Sequence, residues 1–206
     1  MHHFISFEGG DGCGKSTQLQ QTAAWLRQQG QQVLETRQPG GTGLGLEIRR
    51  LLLSGEFIPV SECELFMFLA DRAQHVKEVI QPALKQGQWV LCDRYSDSTL
   101  AYQLAARGLD CGVNLRPMLA FAEMGCVPKQ TFWLDVSIKT ALLRMKKRQQ
   151  AGEKSNHFDD ETMTFHQRVH QAFESIYIEN TTRVVRLDAS QPIEVIQQQI
   201  RQSIIC

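Results

Sequence analysis

The run Gly9-Gly10-Asp11-Gly12-Cys13-Gly14-Lys15-Ser16 constrains this chain more than any other feature. It completes a G-x-x-x-x-G-K-[ST] sequence between a strand-like stretch, Phe4–Glu8, and a helical pattern that reaches Leu26. Glycines let successive backbone N–H groups turn inward around an anion, Lys15 adds a positive charge for β- and γ-phosphates, and the Ser16 hydroxyl suits a magnesium ion. The following helix adds the positive end of its dipole. The bland alternative, an ordinary glycine-rich strand-to-helix turn, should match by chance in about one chain of this length in a hundred, before the flanking context is required.

Around this loop the chain alternates. Short apolar or β-branched runs recur at Phe4–Glu8, Val33–Arg37, Trp89–Asp93, Thr131–Asp135 and Arg183–Leu187, each followed by a helix-like segment. That order implies an α/β fold of three layers, a five-stranded parallel sheet with helices on both faces. Ser61-Glu62-Cys63-Glu64 reads as a capping box opening a helix whose inward face carries Leu65, Phe68, Leu69, Arg72, Ala73 and Val76. The stretch from Arg144 to Phe158 is basic and then polar, with no buried-looking run, and reads as an exposed connection between two helices. With 206 residues and 42% hydrophobic content, one core and one domain (1–206) are expected.

Lys+Arg and Asp+Glu both number 22, so there is no basic excess to hold a long polyanion, and a nucleic acid polymer is not the expected partner. Six scattered cysteines without a C-x-x-C pair fit a reducing compartment. The absence of a leader-like N-terminus or a membrane-length apolar run points to a cytoplasmic protein. Neither the cysteines nor the histidines have the spacing of a metal site.

A phosphate-binding loop serves kinases, GTPase switches and ATPases alike, so other residues must decide. No Asn-Lys-x-Asp guanine-reading sequence occurs, which weakens the reading as a nucleotide-dependent switch. A small-molecule kinase needs a second anionic pocket facing the γ-phosphate and a positively charged cover that excludes water. Arg37, Arg49, Arg72 and Arg94 fall at strand ends or on the helices leading from them, where open α/β sheets bind ligands.

Four segments, Thr36-Arg37-Gln38-Pro39-Gly40-Gly41-Thr42, Phe68-Leu69-Ala70-Asp71-Arg72, Asp93-Arg94-Tyr95 and Ser98-Thr99-Leu100-Ala101-Tyr102-Gln103, resemble bacterial thymidylate kinase in sequence and order. The resemblance runs from Phe4 to about Val169. It implies an adenylate-kinase-like core with a short lid at about 144–158, a homodimer, and transfer of the ATP γ-phosphoryl group to dTMP, giving dTDP for dTTP synthesis. It also implies roles: Gly9 to Thr17 and Arg144 on ATP; Lys15, Asp93, Arg94 and Arg148 in catalysis; Ser16 and Asp93 on magnesium. Arg37, Arg49, Arg94, Asp11, Ser98 and Thr99 would attend the acceptor's phosphate and sugar, Phe68 would stack on its base, Arg72 would meet O4, and Tyr102 with Gln103 would border the sugar and base. Read without the resemblance, Phe68 and Tyr102 are as readily core, and Arg49 an ordinary surface arginine. Asp11 and Asp93 beside phosphates favour a cation between the charges.

Two positions depart from the family pattern. His157 stands in Asn156-His157-Phe158-Asp159, where many bacterial relatives carry an arginine, so Arg148 must supply lid charge or turnover becomes pH-sensitive. Gln38 replaces an acidic residue, with no consequence legible from sequence. A kinase for a deoxynucleoside or a different nucleoside monophosphate is the nearest alternative acceptor reading.

Overall fold

The computed structural model describes residues 3–109, 114–152, 158 and 161–205. Phe4–Glu8 forms β1, Val33–Arg37 β2, Trp89–Asp93 β3, Gln130–Asp135 β4 and Val184–Asp188 β5. They make one parallel sheet in the order β2-β3-β1-β4-β5, the expected five-stranded layer. β1 is central and wholly buried because helices cover both its faces, which explains why it reads as a continuous apolar run interrupted only by Ser6 and Glu8.

The helices are α1 (Lys15–Gln28), α2 (Gly43–Leu53), α3 (Ser61–His75), α4 (Gln81–Lys85), α5 (Ser96–Thr99), α6 (Arg116–Glu123), α7 (Ile138–Gln150), α8 (Met163–Glu179) and α9 (Ile193–Ile205). A π-helical stretch, Val76–Ile80, joins α3 to α4, and a second, Leu100–Ala106, continues α5. On one face of the sheet, α1, α7 and α9 enclose Phe7, Leu19, Leu26, Phe132, Leu134 and Ile200. On the other, α8 and the second π-helical stretch gather Tyr102, Trp133, Phe165 and Phe173.

Two expectations need correction. Ser61 is the first helical residue of α3, Val60 occupies the cap position, and no side-chain cap bond forms. Glu64 is instead buried, accepting from Gln103 Nε2 at 2.9 Å and from Arg107. A carboxylate recruited by an interior arginine is unavailable to the helix end, so tertiary pairing overrides the local motif. The basic stretch is also no open connection at its start: Arg144 to Gln150 belong to α7, Met145 is buried, and Phe158 is buried among aromatic rings. The Lys154, Asn156, His157 and Asp159 positions lie outside the described residues. The inward face foreseen for α3 holds, with Leu65, Leu69, Arg72 and Val76 all buried.

Candidate active site

The loop between β1 and α1 turns on glycines that only glycine can be. Gly9, Gly12 and Gly14 have φ of 133°, 77° and 102°. A Cβ at Gly9 would sit 2.6 Å from the Leu134 carbonyl oxygen, and one at Gly12 would sit 2.5 Å from that of Ala141 on α7. The loop is therefore pressed between β4 and α7. Within it the Lys15 ammonium donates to the Gly10 carbonyl at 2.8 Å and to that of Gly9 at 3.2 Å, which curls the side chain over its own loop.

The large cavity in front of the loop is lined by Asp11 through Thr17, by Arg37, Arg49, Asp93 and Arg94 from the strand ends and α2, and by Arg144, Lys147 and Arg148 from α7. Arg144 and Arg148, four residues apart, project to the same side as the i, i+4 spacing requires. Arg144 is anchored by donating to the Ala189 carbonyl at 3.0 Å. At the mouth the Ser16 hydroxyl donates to Asp93 Oδ2 at 2.6 Å, setting a hydroxyl and a carboxylate side by side as hard oxygen donors suited to a divalent cation.

Arg94 links this cavity to the next one. Its φ is +67°, a left-handed conformation costly for a side-chain-bearing residue, and it is held there by its N–H donating to the Phe7 carbonyl. The guanidinium donates to the Gly9 carbonyl, Ser98 Oγ, Asp11 Oδ1 at 2.7 Å and Tyr102 Oη, and lies 4.9 Å from the Tyr102 ring centre. Burial alone would push the Asp11 carboxyl up, but Arg94 and Lys15 hold it well below the usual carboxylate range. The cation that compensates Asp11 is thus Arg94, whereas Asp93 keeps the place beside Ser16. Burial, with Arg37 and Arg94 nearby, lowers the pKa of Arg49, which donates to the Pro39 carbonyl.

The second pocket is lined by Asp11, Gln38, Pro39, Arg49, Leu53, Phe68, Arg72, Arg94, Tyr95, Ser98, Thr99, Tyr102, Gln103 and Phe158. Phe68 and Arg72, one turn apart on α3, meet there as expected. Arg72 is 1% exposed; its Nε donates to Gln38 Oε1 at 3.0 Å, its Nη2 to Thr99 Oγ1 at 2.8 Å, and its Nη1 has no hydrogen-bond partner among the described residues. Such a buried donor is costly unless a ligand accepts from it. Arg37 lines the phosphate cavity and not this pocket, so the expected acceptor set divides between the two.

The joined geometry is a phosphate cradle with basic walls, opening through one strained arginine into an aromatic and arginine-lined slot, which is the layout of a two-substrate phosphotransferase. The thymidylate kinase family profile matches residues 7–200. The chain belongs to the thymidylate kinase family. It is 46% identical over 197 residues to the thymidylate kinase of Protochlamydia amoebophila, covering 92% of this chain and 86% of that one. With the thymidylate kinase of Gloeobacter violaceus it shares 42% over 201 residues, 98% and 93% of the two chains. The crystal structure of thymidylate kinase from Ehrlichia chaffeensis superposes with a TM-score of 0.79 at 30% identity, covering 100% of this chain and 99% of that one.

Sequence reasoning missed several residues of this site. Glu8, at the end of β1, accepts from the Tyr95 N–H and the Ser98 hydroxyl and so braces the turn that carries Arg94. Phe158 walls the second pocket, with Arg107 stacked over its ring. His75 stands behind Gln38. Glu8 had a signal, as an acid inside an otherwise apolar strand just before the loop; the other two had none.

Proposed function

We propose that this protein transfers the γ-phosphoryl group of ATP, with magnesium, to the 5′-phosphate of dTMP, yielding ADP and dTDP. The observation that carries the reading is Arg94, which borders both cavities and is the side chain through which an acceptor phosphate in the slot would face a γ-phosphate in the cradle.

The roles follow from position. Backbone N–H groups of Gly9 to Ser16 and the Lys15 ammonium hold the β- and γ-phosphates, while Thr17, Arg144 and Arg148 line the same cavity. Ser16 and Asp93 would hold the magnesium, which would supply positive charge to offset that of the phosphates. Arg94 and Arg49 fork onto the acceptor phosphate, with Arg37 behind them on the cradle side, and Asp11 keeps the Arg94 guanidinium turned toward the loop. Ser98 and Thr99 border the sugar with Tyr102, Phe68 stacks on the base, Gln103 lies along its edge, and Arg72 offers Nη1 to O4. An acceptor phosphate is already a competent nucleophile, so transfer is in line and needs charge neutralisation and alignment, with no covalent enzyme intermediate. As shifting charge spreads over the transferring group, Lys15, Arg94 and Arg148 face it from loop, strand end and α7.

A homodimer and a cytoplasmic setting complete the proposal; among the described residues no helix is long and apolar enough to cross a membrane. The test is an ADP-release assay with ATP and magnesium, offering dTMP, dUMP, dCMP, UMP and thymidine in turn. Strong release with dTMP is expected. Release with thymidine in preference to dTMP would replace the reading with a nucleoside kinase, and none above background with any acceptor would sink it.

A further inference from the structure

From the wall of the second pocket, where Arg72 and Gln38 lie, back to His75 and Thr36, four side chains form a hydrogen-bonded row whose polarity is fixed from one end. Arg72 can only donate, so the Gln38 atom facing its Nε must be the amide oxygen. The Gln38 amide nitrogen then faces His75 Nδ1 at 2.9 Å and must donate to it. Nδ1 therefore carries no proton, and the ring hydrogen sits on Nε2, which lies 2.7 Å from Thr36 Oγ1 and donates there. The row admits one protonation state. A cationic His75 would set an N–H against an N–H at Gln38 and a second positive charge beside Arg72.

The surroundings agree. His75 is fully buried, and Gly41 packs so closely that a Cβ there would sit 2.4 Å from Nε2. Burial first, then the Arg72 charge, bring its pKa down to about 4. Of the other titratable groups nearby, Asp71 on α3 accepts from the Gly40 N–H, and burial raises its pKa; on β3, burial keeps the Cys92 thiol protonated. None supplies a carboxylate partner to the ring.

We infer that Gln38 is a positioning residue: it locks Arg72 in the wall of the acceptor pocket, and through the single permitted tautomer of His75 it makes that placement insensitive to pH across the range where histidines usually titrate. A glutamate in its place would accept from Arg72 but could not donate to Nδ1, so the ring would have to take a proton there. Gln38 is then the residue that uncouples base recognition from the protonation of His75. The inference rests on the reading of this pocket as the acceptor site, and the experiment reads the two separately.

The experiment follows the His75 ring by NMR in the full-length protein without nucleotides, for wild type, Gln38→Glu and Gln38→Met, alongside KM for dTMP and for ATP from about pH 5.5 to about pH 8. The variant-to-wild-type ratio of KM cancels the titration of the acceptor's own phosphate. In wild type the ring should stay neutral with its proton on Nε2 throughout. In Gln38→Glu its pKa should rise by about two units or more, and the dTMP KM ratio should change about three-fold or more over the range while the ATP ratio stays flat. Gln38→Met, which keeps neither bond, should raise the dTMP KM about ten-fold at every pH. Titration of the wild-type ring near neutrality, an unmoved ring in Gln38→Glu, or a flat dTMP ratio would overturn the inference. Failure of wild type to phosphorylate dTMP would count against the acceptor reading, since the ring titration needs no substrate.

Discussion

Glu8 shows how one side chain ties stability to the site. Its carboxyl is fully buried between β1 and the turn that carries Arg94, and burial, reinforced by the Asp97 carboxylate, pushes its pKa up to about 7 despite the hydrogen bonds from Ser98 and Tyr95 and the Arg94 charge. Between the ordinary value of 4.5 and about 7, the folded protein holds a proton that the unfolded chain has released. The stability this proton supports is complete below the lower value and disappears as pH rises through the upper one. Glu8→Gln is neutral throughout, so its melting temperature relative to wild type should rise by about 3 to 6 °C from pH 5 to pH 8; a difference constant with pH would remove Glu8 from this role. At this scale the sequence was uneven. Lys15, Ser16 and Asp93 were legible because a local motif or a strand end places them. The row from Arg72 through Gln38 to His75 was not, since it joins residues 34 and 37 positions apart whose meeting depends on how β2 and α3 pack.

Among the elements, α7 sets the shape of the phosphate cavity, and Gly12 is the contact that seats it. A side chain there would meet the Ala141 carbonyl and would also have to adopt φ of 77°. Gly12→Ala should therefore lift α7 away with Arg144 and Arg148, raising KM for ATP about ten-fold and lowering stability by about 1 to 3 kcal/mol, read by steady-state kinetics and urea unfolding. Unchanged ATP affinity would mean that α7 does not cover the phosphates. The five strands, their alternation with helices and the inward face of α3 were readable from periodicity alone, whereas the order β2-β3-β1-β4-β5 comes from how the strands pair. The start of α3 and the course of the chain after Arg144 were not. Glu64 and Phe158 look polar-capping and linker-bound by local context, and only their distant partners, Gln103 and Arg107 for one and Phe68 and Tyr102 for the other, make them interior.

At the level of the whole molecule, α2, α3 and α6 pack side by side and leave Leu46, Phe66, Met118 and Phe121 exposed, the last at 84%. Large apolar side chains left exposed on neighbouring helices fit the proposed homodimer. The protein should run on light scattering at twice its 23.4 kDa chain mass, and Phe66→Asp with Phe121→Asp should reduce it to one chain without loss of the fold by circular dichroism. A wild-type monomer would refute the dimer.

The phosphate cavity gathers seven basic side chains, Lys15, Arg37, Arg49, Arg94, Arg144, Lys147 and Arg148, against two carboxylates, in a chain whose acids and bases are equal in number. The remaining surface must then carry the acid excess. The molecule is therefore charge-asymmetric, with its positive end at this cavity, a field that draws small phosphorylated molecules toward the proposed site although the chain as a whole carries no net charge.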